Sequence, residues 1–168
     1  MNYYKEIKTE IINNEITKKI KDYSKNKSDL TTYYNVGKLL SEAGKHYGEG
    51  IIKEYSNKLS KDLNKKYSVT TLSYMKQFYE SGIFQPLVGK LSWSHYLQLL
   101  PLKDKDKINY YIDITLKNNL SKRQLCERIK NNEYERLDDK TKEIKPIDKQ
   151  DYSQRIGKIA TRISPMPE

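Results

Sequence analysis

The sequence predicts an all-α fold, a bundle of about six to seven helices with one or two helix-turn-helix units and a polar C-terminal tail. Three observations predict it. Apolar residues recur at helical spacing through most of residues 1–130. Ser, Gly, Pro and Asn interrupt these stripes where helices are expected to begin or end. No stretch of useful length alternates between apolar and polar residues as a half-buried strand would.

The first four helices are predicted from apolar stripes that end at polar or Gly-rich breaks. Their predicted ranges are 3–23, 28–42, 51–65 and 69–81. Ser28 and Ser68 are the expected N-caps of the second and fourth helices. Gly37 falls on the inner face of the second helix, which predicts a close helix crossing there. The stretch from Gly44 to Gly50 is expected to end that helix.

Three shorter helices are predicted downstream, before a polar tail. Their predicted ranges are 92–100, 104–117 and 121–130. Residues 131–168 are polar and are expected to form a linker or tail, with a helical piece near 133–143. We therefore expect a helical domain over residues 1–130 and a tail over residues 131–168.

The positive charge of the chain lies on the part that is predicted to fold. The formal net charge is +10, and residues 1–130 hold 24 Lys and Arg against 14 Asp and Glu, whereas residues 131–168 hold 8 against 8. Such a field favours phosphate polymers or anionic membrane surfaces. The alternative is a solvated surface in a protein whose coding bias favours Lys, Asn, Ile and Tyr.

Compartment and membrane association follow from the cysteine count and the hydropathy pattern. Cys126 is the single cysteine of the sequence, so a disulfide within the chain is excluded. No apolar run approaches the roughly 18 residues that a membrane span needs. The first residues do not resemble a signal peptide. The expected location is the cytoplasm, with no membrane partner.

Two pairs of helices are candidate helix-turn-helix units. The third and fourth helices are predicted to be joined by about three residues, as are the sixth and seventh. The second helix of each pair begins alike, with an apolar residue, a Ser, three further residues and a Leu: YSVTTL at 67–72 and LSKRQL at 120–125. The alternative is ordinary packing within a helical bundle, where a capped helix after a short turn is common.

These two starts supply the candidate nucleic-acid-binding residues. The Ser caps the helix, the Leu anchors its inner face, and the residues between them can meet a phosphate or a base edge. Thr, Gln, Lys and Arg are side chains that reach bases and phosphates in the major groove. The candidates are Lys65, Lys66, Thr70, Thr71, Ser73, Lys76, Gln77, Lys122 and Arg123.

No catalytic, metal or cofactor site is predicted. Ser94 and His95 are adjacent, and neighbouring positions on a helix point apart, so a structural role is expected for His95. Two His and one Cys cannot supply an ordinary metal site of these ligand types. The run 143–145 has the Glu-x-Lys form of a metal-dependent nuclease core, but that core needs strands that this polar tail does not offer. Cys126 is expected to pack.

Several segments resemble one family in the same order along the chain. They are YYNVGK at 33–38, LSKDL at 59–63, SVTTLSYMKQFY at 68–79, LSWSHY at 91–96, YYI at 110–112 and LSKRQL at 120–125. This pattern resembles the N-terminal domain of the YhcG family (DUF1016), over about residues 3–130. Thr70, Thr71, Lys76 and Leu120 depart from the residues usual in that family.

The resemblance implies a function that composition alone does not give. Members resemble PDDEXK nucleases with a helical N-terminal domain, and the nuclease domain is not expected within these 168 residues. The resemblance implies a role in nuclease targeting, in defence or mobile-element contexts. Together with the positive charge and the two candidate helix starts, it predicts a DNA-binding module, non-catalytic by itself, that positions or targets a nuclease. Duplex DNA is the expected partner, with a nuclease domain or subunit and a homodimer as further expectations. The alternative is a protein-interaction or oligomerisation module of a nuclease or defence complex.

Overall fold

All regular secondary structure in residues 1–20, 25–84 and 91–142, the parts described by this computed structural model, is helical. The α-helices are α1 (Tyr3–Ile20), α2 (Lys25–Tyr47), α3 (Ile51–Asp62), α4 (Val69–Ser81), α5 (Trp93–Leu99), α6 (Lys105–Asn118), α7 (Lys122–Lys130) and α8 (Asp139–Lys142). A single 3-10 turn, Tyr134–Arg136, lies between α7 and α8. The all-α prediction is confirmed.

The chain divides into two compact units, residues 1–101 and residues 102–168. The division falls just after Pro101, between α5 and α6. The sequence did not predict a boundary at this position. A single domain over residues 1–130 with a separate tail stays a prediction.

The first unit is organised around α2, which packs on α1, α3, α4 and α5. Its core is a continuous cluster of apolar side chains from the helices, including the fully buried Ile7, Val36, Leu40, Leu59 and Leu72. Burying such side chains supplies most of the free energy that holds helices together in water.

Gly37 makes the contact between α2 and α4 possible. A Cβ atom at this position would lie 2.0 Å from the backbone oxygen of Met75 and 3.1 Å from the Cβ of Tyr79. The backbones of the two helices therefore touch where any other residue would hold them apart. The predicted close crossing at Gly37 is confirmed.

Aromatic rings fill the space between α2, α4 and α5. Phe78 is fully buried, with ring centroids 5.2 Å from Trp93 and 4.8 Å from Tyr96. Tyr34 of α2 meets Tyr79 edge-on at 5.2 Å. Edge-to-face pairs of this kind add to the apolar burial. Part of the high tyrosine content is therefore explained by packing between these helices.

The second unit is built on α6 and α7. Tyr111, Ile112 and Leu125 are almost fully buried. Glu133 accepts hydrogen bonds from the Tyr110 hydroxyl at 2.7 Å and from Arg128 at 2.9 Å. Residues just beyond 130 are thus bonded to the helices of this unit, where the sequence predicted a loosely held linker.

Three predicted boundaries differ from the structure by three or more residues. Helix α2 begins at Lys25 and continues through Gly44 to Tyr47, so Ser28 lies inside the helix and is not its N-cap. It ends at Gly48, whose positive φ of 78° breaks the helix. Helix α3 ends at Asp62, three residues before the predicted end. The expected end of helix one at residue 23 lies outside the described residues.

Candidate nucleic-acid interface

A run of exposed lysines begins on α3 and continues into the connector that follows it. Helix α3 buries Ile52, Tyr55 and Leu59, so the opposite side faces solvent. We call the exposed polar residues on that side, together with those of the connector that follows, the basic stripe. It comprises Lys53, Asn57, Lys61, Asn64, Lys65 and Lys66.

The acidic residues of α3 are occupied by other cations. Glu54 pairs with Lys58 of the same helix at 2.8 Å. Asp62 pairs with Lys8 of α1 at 2.9 Å, and its pKa is lowered by a hydrogen bond from the Tyr4 hydroxyl and by the hydrogen bond from Lys8. Both carboxylates thus have ion-pair partners outside the stripe, although Asp62 also interacts electrostatically with Lys61.

The lysines of the stripe are open to solvent. In the described ranges no ion pair involves Lys53, Lys61 or Lys66. Lys65 pairs with Glu15 at 3.1 Å, and both side chains are more than a third exposed. An exposed pair of this kind contributes little to stability, so a phosphate can replace the carboxylate at small cost.

The connector between α3 and α4 is longer than predicted. It spans residues 63–68, six residues where about three were expected. Asn64 adopts a left-handed φ of 47°, which turns the chain out of α3. Tyr67 then returns to the core, where its carbonyl accepts a hydrogen bond from Ser56 at 2.6 Å and its N–H donates to Ser60 at 3.0 Å. These bonds hold the connector against α3.

Helix α4 begins where the connector ends. The Ser68 side chain accepts a hydrogen bond from the Thr71 N–H at 3.1 Å, as predicted for an N-cap. The hydroxyls of Ser68 and Thr71 lie 2.9 Å apart, so Thr71 is engaged in the cap and is half-buried. Thr70 is exposed. The first turn therefore presents Thr70 to solvent beside the basic stripe, while Leu72 anchors the core side.

Further along α4, Gln77 is exposed and donates a hydrogen bond to the carbonyl of Leu100 at 3.2 Å, while Ser73 is half-buried. Tyr74 lies between them in sequence and is 39% exposed. These three side chains are uncharged, and that of Gln77 is already bonded to the backbone of a neighbouring segment.

Lys76 is directed to two carboxylates. Its side chain is 16% exposed and lies 2.6 Å from Glu49 and 3.7 Å from Glu80. The hydrogen bond that Lys76 donates to Glu49 raises the pKa of Lys76. Glu80 also accepts a hydrogen bond from Ser41 at 2.8 Å. In this arrangement Lys76 links α4 to the α2–α3 loop, and its charge is balanced by the two carboxylates.

The second candidate pair lies in the other unit. Residues 119–121 join α6 to α7, a three-residue connector of the predicted length, with Asn119 at a left-handed φ of 50°. The Ser121 side chain accepts from the Gln124 N–H, and the Gln124 side chain accepts from the Ser121 N–H at 2.8 Å. Lys122 is exposed, and Arg123 is exposed while pairing with Glu127 at 3.2 Å. Both predicted cations are accessible at this helix start.

Local geometry alone does not distinguish a DNA-reading unit from bundle packing. In the first unit α4 packs chiefly on α2, with α3 as a lesser neighbour. Sequence reasoning also missed Lys53, Asn57 and Lys61, although their spacing at every fourth position predicts a shared helix face. The basic stripe, which these residues begin, is more exposed than the outer face of α4.

A comparison with known protein families identifies the family to which this chain belongs. The family model described as DUF1016 N-terminal domain matches residues 6–136, more than three quarters of the chain. The chain belongs to this family. Its DUF1016 N-terminal domain runs from α1 to the 3-10 turn, and so covers most of the first unit and residues 102–136 of the second. No curated protein and no solved structure matches the chain.

DUF1016 N-terminal domains are associated with nuclease-like proteins, and this N-terminal domain is the part of the family that the chain matches. Across the described ranges no group of three or more His, Cys, Asp or Glu could hold a metal ion. The Glu-x-Lys run at 143–145 lies outside the described residues. None of the described helices is long and apolar enough to cross a bilayer.

The residues that suggested chemistry have structural contacts. His95 accepts a hydrogen bond from the Ser92 N–H through Nδ1 at 3.1 Å, with the Ser92 hydroxyl at 2.8 Å from the same atom. Since Nδ1 is engaged at the start of α5, His95 acts as a partner of the cap, the structural role predicted for it. Cys126 is half-buried on α7 as a free thiol.

Proposed function

We propose that this chain is a DNA-binding module that positions a nuclease domain or subunit and is non-catalytic by itself. The observation that carries the proposal is the basic stripe: four exposed lysines within α3 and its connector, followed by the exposed Thr70 at the start of α4. Membership of a family associated with nuclease-like proteins supports the second half of the proposal.

The binding mode follows from the charges and their surroundings. Lysines that neutralise phosphates release condensed counterions, which supplies affinity without reading sequence. The stripe contributes such lysines, and Thr70 at the start of α4 is placed to meet a base edge or a phosphate. Lys122 and Arg123 offer a second contact in the other unit. Lys76 and Gln77 contribute less, because carboxylates and a backbone carbonyl already engage them.

A pair of charge-matched triple variants tests the proposal. Lys53→Gln, Lys61→Gln and Lys66→Gln together remove three charges from the stripe. Lys5→Gln, Lys38→Gln and Lys45→Gln together remove three exposed charges from α1 and α2 of the same unit. Gel shifts with a duplex probe at low salt should show loss of binding for the stripe variant and near-normal binding for the control. Absent binding by the unmodified chain, or equal loss in both variants, would refute the proposal.

A protein-interaction or oligomerisation module is the second candidate. Ile12 and Ile16 of α1 are 37% and 50% exposed and lie one turn apart, as expected of a small apolar contact face. Light scattering would test it with Ile12→Glu and Ile16→Glu combined. A fall from oligomer to monomer with DNA binding retained would favour assembly, whereas an unchanged mass would exclude this face as the interface.

A further inference from the structure

A cleft lined by tyrosines lies beside the basic stripe, at the junction of three helices. It encloses about 390 Å³ between the first turn of α1, the end of α2 and the first two turns of α3. Four of its nine lining residues are tyrosines: Tyr3, Tyr4, Tyr47 and Tyr55. None of the residues that line the cleft belongs to the basic stripe.

The rings differ in how they are held. Tyr55 is buried, and its ring lies 5.5 Å from that of Tyr4. Tyr3 is buried too, stacked on His46 with a centroid distance of 5.7 Å and an interplanar angle of 26°. Tyr47, in contrast to these two buried tyrosines, has 62% of its surface exposed. The cleft therefore has a rigid aromatic floor and one open aromatic wall.

Polar groups border the aromatic surface. Glu54 and Lys58 line the cleft and pair with each other at 2.8 Å. The Lys58 ammonium lies 5.6 Å from the centre of the Tyr4 ring. A ligand in the cleft would thus find a carboxylate acceptor and an ammonium donor next to flat rings. That combination suits a heteroaromatic base, which offers two faces for stacking and an edge for hydrogen bonds.

The cleft and the basic stripe share helix α3. Glu54, Tyr55 and Lys58 line the cleft, while Lys53 and Lys61 of the basic stripe extend from the same helix. The Lys58 ammonium already lies over the Tyr4 ring, so that ring is not open to a second cation. In a duplex each base is stacked between its neighbours, so only an unpaired base can reach the cleft.

We propose that the tyrosine cleft stacks an unpaired nucleobase, so that the substrate class of this module is DNA with a single-stranded segment adjoining a duplex. This inference rests on the proposed DNA-binding function and specifies the DNA that it recognises. The basic stripe contacts the phosphate backbone, and the cleft takes a base that the backbone brings past α3. Tyr47 is the open wall against which that base stacks.

The experiment compares a blunt duplex with the same duplex carrying a short overhang, using the full chain. The unmodified chain should bind the overhang probe more tightly. Tyr47→Ala should weaken overhang binding about tenfold, the typical loss for one stacked base, and leave blunt-duplex binding unchanged. Tyr47→Phe should retain the preference, since the ring and not the hydroxyl stacks. Tyr74→Ala removes another exposed tyrosine, on α4, and should change neither probe.

A second readout reports on the base itself. With 2-aminopurine as the first unpaired base, its fluorescence should be quenched on binding, and Tyr47→Ala should abolish the quenching. Circular dichroism confirms that each variant is folded.

The failures are distinguishable. A chain that binds neither probe overturns the proposed function and this inference together. Equal affinity for the two probes, insensitive to Tyr47→Ala, overturns the inference alone. Tetramethylammonium that shifts the Tyr47 resonances where thymidine monophosphate does not would also overturn it, and would assign the cleft to a cationic side chain of a protein partner.

Discussion

Gly37 shows how one missing side chain sets the distance between two helices. Gly37→Ala would place a methyl group 2.0 Å from the Met75 carbonyl oxygen, which is backbone and cannot rotate away. We expect the free energy of unfolding to fall by about 2–3 kcal/mol, as in other overpacked interiors. Urea denaturation measures this change.

The matched control for that substitution lies in the same helix. At Gly44 the nearest atoms to an added Cβ are the ends of Glu49 and Lys76, at 3.7 and 3.8 Å. Gly44→Ala should therefore be neutral or stabilise the protein by up to about 1 kcal/mol, because alanine favours a helix interior. Equal destabilisation by both alanines would contradict the tight crossing.

Tyr4 provides a residue-scale prediction about pH. Burial, followed by the 2.6 Å hydrogen bond to Asp62, raises the pKa of Tyr4 from 10.0 to about 12. Since the folded pKa exceeds the unfolded one, this contribution to stability is complete below pH 10 and is lost as the pH rises towards 12. Burial also raises the pKa of other tyrosines, such as Tyr55 and Tyr110, so the Tyr4 step is the late part of the tyrosinate absorbance change that is lost in Tyr4→Phe.

Asp62→Asn tests the two causes separately. The pKa of Tyr4 should fall in this variant but stay above 10.0, because burial is the larger cause. A pKa that returns to 10.0 would show that the carboxylate alone was responsible. Tyr4→Phe identifies the titrating phenol by removing its absorbance step.

At the scale of elements, the beginning of α4 is fixed by its cap. Ser68→Ala removes the acceptor for the Thr71 N–H and should lower the free energy of unfolding by about 1 kcal/mol. Thr70→Ala changes an exposed residue in the first turn of the same helix and should cost less than about 0.5 kcal/mol. Thermal or urea unfolding of the two variants distinguishes a working cap from general sensitivity of this turn.

The ends of helices α2 and α3 are the places where predictions from the local sequence pattern failed. Helix α2 runs through Gly44 because its neighbours in the fold hold that segment in place, whereas the sequence predicted an end at the Gly-rich stretch. The connector after α3 is lengthened because Asn64 turns left-handed and Tyr67 must reach the core. Both outcomes depend on residues distant in sequence, so a local reading of Gly and Ser could not predict them.

At the scale of the whole molecule, the net charge does not single out one surface. Residues 1–101 hold 16 Lys and Arg against 10 Asp and Glu, and residues 102–168 hold 16 against 12. The excess is therefore shared by the two units. The basic stripe groups four exposed lysines within residues 53–66, where Glu54 and Asp62 of the same helix pair with other lysines.

Salt dependence provides the matching prediction. Each phosphate contact contributes about 0.9 to the slope of log affinity against log salt for duplex DNA. The triple variant at Lys53, Lys61 and Lys66 should reduce the magnitude of that slope by up to about 2.7, whereas the control at Lys5, Lys38 and Lys45 should leave it nearly unchanged. Gel shifts across a salt series measure both. Equal slopes would mean that the stripe makes no phosphate contact.

The sequence by itself determined the helical class, the starts of α4 and α7 at Ser68 and Ser121, the tight crossing at Gly37 and the excess of lysine. These features depend on periodicity, on capping bonds that span three residues, or on the size of one residue. Only the tertiary structure decided that Lys76 pairs with Glu49 and that rings from three helices form a cleft. Those contacts join residues far apart in the chain, and their geometry depends on how the helices pack.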